Sequence, residues 1–168
     1  MDETVILRKA RVRIHVEHAY DFDERLGIWL RRQVEPDEVV ENIITDAGRI
    51  GLHTFCYGTT ARASGFNWIG LSNNATPPAA GDTSLTGELT GNGVDRAQGT
   101  VTLPTGSSNQ TTISKQFTYT GVPPQGVQKA ALFSAAYPGG VMAHEIQFSQ
   151  RTLFTNDLIT ITYTITLG

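Results

Sequence analysis

Residues 158–167 read Leu158-Ile159-Thr160-Ile161-Thr162-Tyr163-Thr164-Ile165-Thr166-Leu167. Successive side chains of an extended strand point to opposite faces. One face of this stretch is therefore Ile159, Ile161, Tyr163, Ile165 and Leu167, and the other is threonine throughout. Both sets are rich in β-branched residues, which suit a pleated surface. Such a strand buries one side in a sandwich core and leaves the other wet or against a neighbour.

Working outward, the same texture recurs. Ile113, Lys115, Phe117 and Tyr119 share one face of a strand, and Val101 and Leu103 oppose Thr100 and Thr102. Ala130 to Phe133 and Val141 to Ile146 flank a Pro138-Gly139-Gly140 turn, and Phe66 to Ser72 is a further strand. Asn73 to Asp82 is a loop that Pro77 and Pro78 stiffen. Regular short strands with Pro/Gly turns predict a mainly β protein, an antiparallel β-sandwich or jelly roll. One short helix is expected from Thr45 or Asp46 as N-cap to Tyr57-Gly58.

Charge divides the chain. Residues 1–50 hold 11 acids and 8 bases, while residues 51–168 hold 5 of each. In the charged part, Val12, Ile14 and Val16 alternate with Arg11, Arg13, His15 and Glu17. A polar stretch from Asp21 to Gly27 then leads to a return strand at Ile28, Trp29, Leu30, Arg31, Arg32. Pro36-Asp37 ends it, and short apolar pieces follow at Val39-Val40 and Ile43-Ile44. The chain thus reads as a charged N-terminal hairpin or arm, residues 1–41, and a sandwich body, residues 42–168. The hairpin either lies within the sandwich or extends to a neighbour. Its removal is expected to leave a folded body.

The 168 residues, net charge of −3 and pI of about 5.8 point to no nucleic-acid partner. No apolar run reaches the ~18 residues of a membrane span, so no membrane partner is expected. A single cysteine, Cys56, excludes a disulfide framework and a multi-cysteine metal site. Enzyme signatures fail one by one. His144-Glu145 lacks the second histidine of a zinc-protease motif, with Phe at position 148. Asp21, Asp23 and Glu24 lack the glycine and terminal Glu of a calcium loop. Cys56 and His53 share a helix side, but nothing orients them as a catalytic pair. The glycine-dense Gly87 to Gly93 lacks the helix and lysine of a phosphate cradle. The carboxylates of the body, Asp82, Glu88, Asp95, Glu145 and Asp157, look widely scattered. No enzyme activity and no cofactor are expected.

Phe66 to Asn73, Ala75 to Leu85, Asn92 to Ala97, Ala130 to Ala136, Met142 to His144 and the closing threonine strand together resemble stretches of tailed-bacteriophage structural proteins. Asn42 to Arg49 is similar too. Within that class the chain is most similar to head decoration, or cement, proteins. The resemblance implies a virion component, made in the host cytoplasm, that binds the major capsid protein and self-associates, as a homotrimer for example. Arg11, Arg13, Ile28, Trp29, Leu30, Arg31 and Arg32 are then the candidates for capsid docking. Trp68, Tyr137 and Tyr57 would serve the alternative, a tail or head appendage that binds a receptor or glycan.

Overall fold

The computed structural model describes residues 7–33, 35–41, 43–48, 65–103 and 110–167. Two antiparallel sheets pack face to face. Their strands are β1 (Leu7–Asp23), β2 (Ile28–Gln33), β3 (Glu38–Glu41), β4 (Ile43–Ile44), β5 (Trp68–Ser72), β6 (Ala97–Gln98), β7 (Thr100–Thr102), β8 (Gln110–Thr118), β9 (Gln125–Phe133), β10 (Met142–Leu153) and β11 (Leu158–Leu167). The first sheet runs β2-β1-β11-β8-β7, with β3 also on β1, and the second runs β4-β10-β9-β5-β6. The protein is mainly β, and its architecture is a β-sandwich.

The alternation read in β1 and β11 sets the core. Val12, Ile14 and Val16 point inward beside Ile159, Ile161 and Tyr163. They meet Ile69, Leu71, Leu132, Ile146 and Phe148 of the other sheet. β1 is therefore not an arm reaching away: its first half lies between β11 and β3, within the wall of the sandwich. The chain crosses to the second sheet between Glu41 of β3 and Ile43 of β4.

The outer face of the second sheet is covered as well. Leu85, in the loop after β5, joins Ala131, Phe133 and Met142 in a second cluster that half-buried Trp68 packs against. Hydrogen bonds tie that loop down: Ser72 Oγ donates to Thr86 O, Gln128 Nε2 to Asn73 O and Gln147 Nε2 to Ala75 O. Every residue from Lys129 to Phe133 is consequently buried.

The helix is one turn, Asp46 to Gly48, among the described residues. Thr45 is its cap, accepting the Gly48 N–H on Oγ1 at 3.0 Å. The remainder of the expected helix, with His53, Cys56 and Tyr57, lies outside the described residues. Val101 and Leu103 are 40% and 68% exposed, Val101 on the three-residue edge strand β7 and Leu103 just past its end.

Candidate docking surfaces

Beyond Glu17, β1 no longer pairs with β11 and keeps β2 as its ladder partner, so residues 18–33 form a two-stranded ribbon. The strand runs on through Asp21 and Asp23, which the sequence placed in the loop. The turn is only Glu24 to Gly27. Asp23 builds it, accepting the Arg25 and Leu26 N–H groups on Oδ1, while its carbonyl takes the Gly27 N–H. Gly27 supplies the positive φ of 66° that closes the turn.

The ribbon carries a run of exposed apolar side chains. Tyr20, Phe22, Leu26, Ile28 and Trp29 are all open to solvent, and the Phe22 and Trp29 rings lie 5.3 Å apart across the ladder. Arg32 is exposed, with its guanidinium 5.9 Å from the Tyr20 ring. Leu30 is half-buried, and Arg31 reaches back to Asn156 O at 3.4 Å. The candidates Ile28, Trp29, Leu30, Arg31 and Arg32 are thus brought together on one projecting element.

At the base of the ribbon sits Asp157, wholly buried in the turn between β10 and β11. Its carboxylate accepts from His18 Nδ1 at 2.6 Å, from Ala19 N at 2.8 Å and from Phe154 N at 2.7 Å. Three donors satisfy a charge that would otherwise be costly to bury. The same joint fixes where the ribbon leaves the sandwich, beside the register shift between Ala19 and Asp21.

Arg11 and Arg13 lie elsewhere, on the outer face of the first sheet. Two rungs cross five strands there: Val39-Arg13-Thr162-Ser114-Thr100 and Glu41-Arg11-Thr164-Thr112-Thr102. The hydroxyls of Ser114 and Thr162 are 2.8 Å apart. Arg11, Arg13, Val39 and the β11 threonines line a groove of about 720 Å³. At its margin His15 bonds to Asp37 at 2.6 Å and to Glu17 at 3.2 Å. The hydrogen bond to Asp37 raises the His15 pKa above 6.5, against the opposing effect of burial. His15 and His18 are both half-buried and paired with acids.

Charges that look scattered in the body converge beneath the loop over the second sheet. Glu145 is buried and accepts from Lys129 Nζ at 2.7 Å, with both side chains at most 3% exposed. Burial raises the Glu145 pKa, and the neighbouring Asp82 pushes it the same way. The Asp82 pKa is lowered, chiefly by the Ala79 N–H that it accepts. Nearby, Glu88 takes Arg96 in a bidentate bond of 2.7 and 2.5 Å. The Arg96 guanidinium lies 3.3 Å from the Phe133 ring centre and also donates to Ala135 O and Gly139 O. Lys129–Glu145 lies within the sheet and Glu88–Arg96 within the loop, while Asp82 against Glu145 and Arg96 on Phe133 link the two. The spacing of these groups in sequence, 16 residues for Lys129 and Glu145, left no local signal.

On the core side of β10, His144 lies 6.4 Å from the Tyr163 ring. Burial drives the His144 pKa down to about 4 and raises that of Tyr163 well above 10. Both members of His144-Glu145 are buried, one on each face, because each face of β10 is covered. The glycines from Gly87 to Gly93 serve turns: Gly87, Gly91 and Gly93 all have positive φ. A side chain at Gly93 would collide with Thr118 O. Tyr137 is 55% exposed beside a shallow recess of about 450 Å³ that Thr83 and Ser84 also line. Among the described residues no group of His, Cys, Asp and Glu is arranged to hold a metal ion.

Comparison with known proteins finds no family that matches the chain and no curated protein that matches it.

Proposed function

We infer that the chain is a virion structural protein of the decoration type, which binds the major capsid protein lattice and stiffens the head. The observation that carries this reading is the ribbon of residues 18–33, which presents Tyr20, Phe22, Leu26, Ile28 and Trp29 to solvent beyond the sandwich wall. Exposed aromatic and aliphatic anchors on a projecting element are expensive to leave wet and release that cost on docking. Asp21, Asp23, Glu24, Arg25, Arg31 and Arg32 on the same ribbon supply charges of both signs, which suit register with a protein more than attraction to a polyanion. Many equivalent copies, or a trimer, would multiply a modest contact through avidity. The protein acts in this reading by the surface it removes from water, with no chemical turnover.

The test is addition of purified protein to capsids that lack it. Saturation at a fixed stoichiometry with a raised rupture temperature is the expected result. No association at micromolar protein would overturn the reading.

One observation favours a glycan-binding appendage as second choice. Tyr137 presents an open ring beside the hydroxyl-bearing recess of Thr83 and Ser84. Trp68 does not support it, being packed against the cluster under the loop. Binding of cell-surface sugars without affinity for capsids would select this alternative.

A further inference from the structure

We propose that the groove on the outer face of the first sheet is a second docking surface, and that its occupant is an extended acidic segment of a partner protein. The inference rests on the decoration reading, since it assigns a further contact to the same kind of partner.

Arg11 and Arg13 stand two residues apart on one strand and one face, so their Cα atoms are about 6.7 Å apart along β1. Carboxylates at alternate positions of an extended peptide have the same spacing. Thr162, Thr164 and Thr166 run beside the two arginines at that period, with hydroxyls able to donate or accept. Val39, 55% exposed, offers an apolar contact at the rim. No carboxylate lines the groove among the described residues.

The nearest acids leave room for a guest. Asp37 Oδ2 is 3.8 Å from Arg13 Nε, a loose contact. Its other oxygen is held by His15 and by Gln33 Nε2 at 2.8 Å. Glu41 stands opposite Arg11 on the same face, one strand out, and is not among the residues that line the groove. The Arg13 side chain remains 64% exposed. A guanidinium can take a carboxylate through two parallel hydrogen bonds, which adds geometric selectivity to charge attraction. Commensurate spacing is what separates an alternating acidic strand from any other polyanion.

The experiment titrates the full chain at low salt with three blocked octapeptides: alternating Thr and Glu, an isomer with its four Glu contiguous, and alternating Thr and Lys. Amide NMR maps the site. The alternating acidic peptide should bind best and shift the amides of Thr162, Thr164 and Thr166. R11Q/R13Q should weaken it roughly tenfold while R25Q, at the ribbon tip, leaves it unchanged. Equal binding of the contiguous isomer, shifts confined to other surfaces, or no binding would each overturn the proposal. Tighter binding of oligothymidylate or dextran sulfate to the same amides would also overturn it, in favour of a polyanion site. Because capsids are absent from this titration, its failure leaves the decoration reading standing. Peptide binding without capsid association would instead remove that reading and keep the groove.

Discussion

His18 and Asp157 are 139 positions apart in the chain, yet His18 Nδ1 lies 2.6 Å from Asp157 Oδ2. With Ala19 N and Phe154 N on the same carboxylate, this contact joins the first hairpin to the last turn. Asp157→Ala should cost about 3 kcal/mol by leaving buried donors without an acceptor. Asp157→Asn, which keeps one acceptor oxygen, should cost less. Urea unfolding of the three proteins measures both, and equal stability of all three would refute the role of the joint.

Trp29→Ala should cost less than about 1.5 kcal/mol, because the Phe22–Trp29 pair sits on an exposed ribbon. In the decoration reading the same change strongly lowers capsid occupancy. A variant that melts near the parent and still fills its sites normally would remove Trp29 from the docking surface.

Removing residues 1–41 should abolish cooperative unfolding. The sequence suggested a body that survives this truncation. The packing argues the other way, because Val12, Ile14 and Val16 are core residues and β11 would lose its ladder on one side. Calorimetry of the truncated chain decides the matter, and a sharp transition near that of the full chain would show the wall to be dispensable.

Two histidines should bend the pH profile in opposite senses. His144 is buried and its folded pKa is about 4 against 6.5 in the unfolded chain. The unfolded state therefore binds its proton first as pH falls, and stability is lost between pH 6.5 and 4, by about 3 kcal/mol. His144→Gln should flatten that limb. His15 has a raised folded pKa, so its stabilisation is complete below pH 6.5 and fades as pH rises through the folded value. His15→Gln should lose stability at pH 6 and much less at pH 9. Denaturant unfolding across pH 4 to 9 reads both slopes.

Tyr163→Phe should stabilise the protein, by about 1 kcal/mol. The Tyr163 hydroxyl is buried with no hydrogen-bond partner among the described residues, so its removal relieves a desolvated donor without opening a cavity. A lower midpoint in urea for the phenylalanine variant would contradict this.

The reach of the sequence follows from how many faces of each strand are covered. β11 and the first half of β1 each have one wet face, so apolar and polar residues alternate and the strands announce themselves. β9 from Lys129 to Phe133 is buried on both faces, so alternation vanishes and the second layer over it was not legible. The alternation of Val12, Ile14 and Val16 fits a strand in its own sandwich as well as one laid on a neighbour, and pairing with β11 decides between them. The docking candidates separated for the same reason. Arg11 and Arg13 precede the point where β1 leaves the wall, and Ile28 to Arg32 answer the part beyond it. Asp82, Lys129 and Glu145 meet only because a loop folds back across two strands, which no local spacing encodes.

β1 is a single 17-residue strand that begins inside the wall and ends at the tip of the ribbon. A load taken at the tip therefore passes along one unbroken backbone into ten positions paired with β11. Those rungs lie across the direction of pull and are sheared together instead of being unzipped one at a time. In the decoration reading, a molecule seated by its tip would transmit tension into its own hydrogen-bonded lattice before the contact itself could peel.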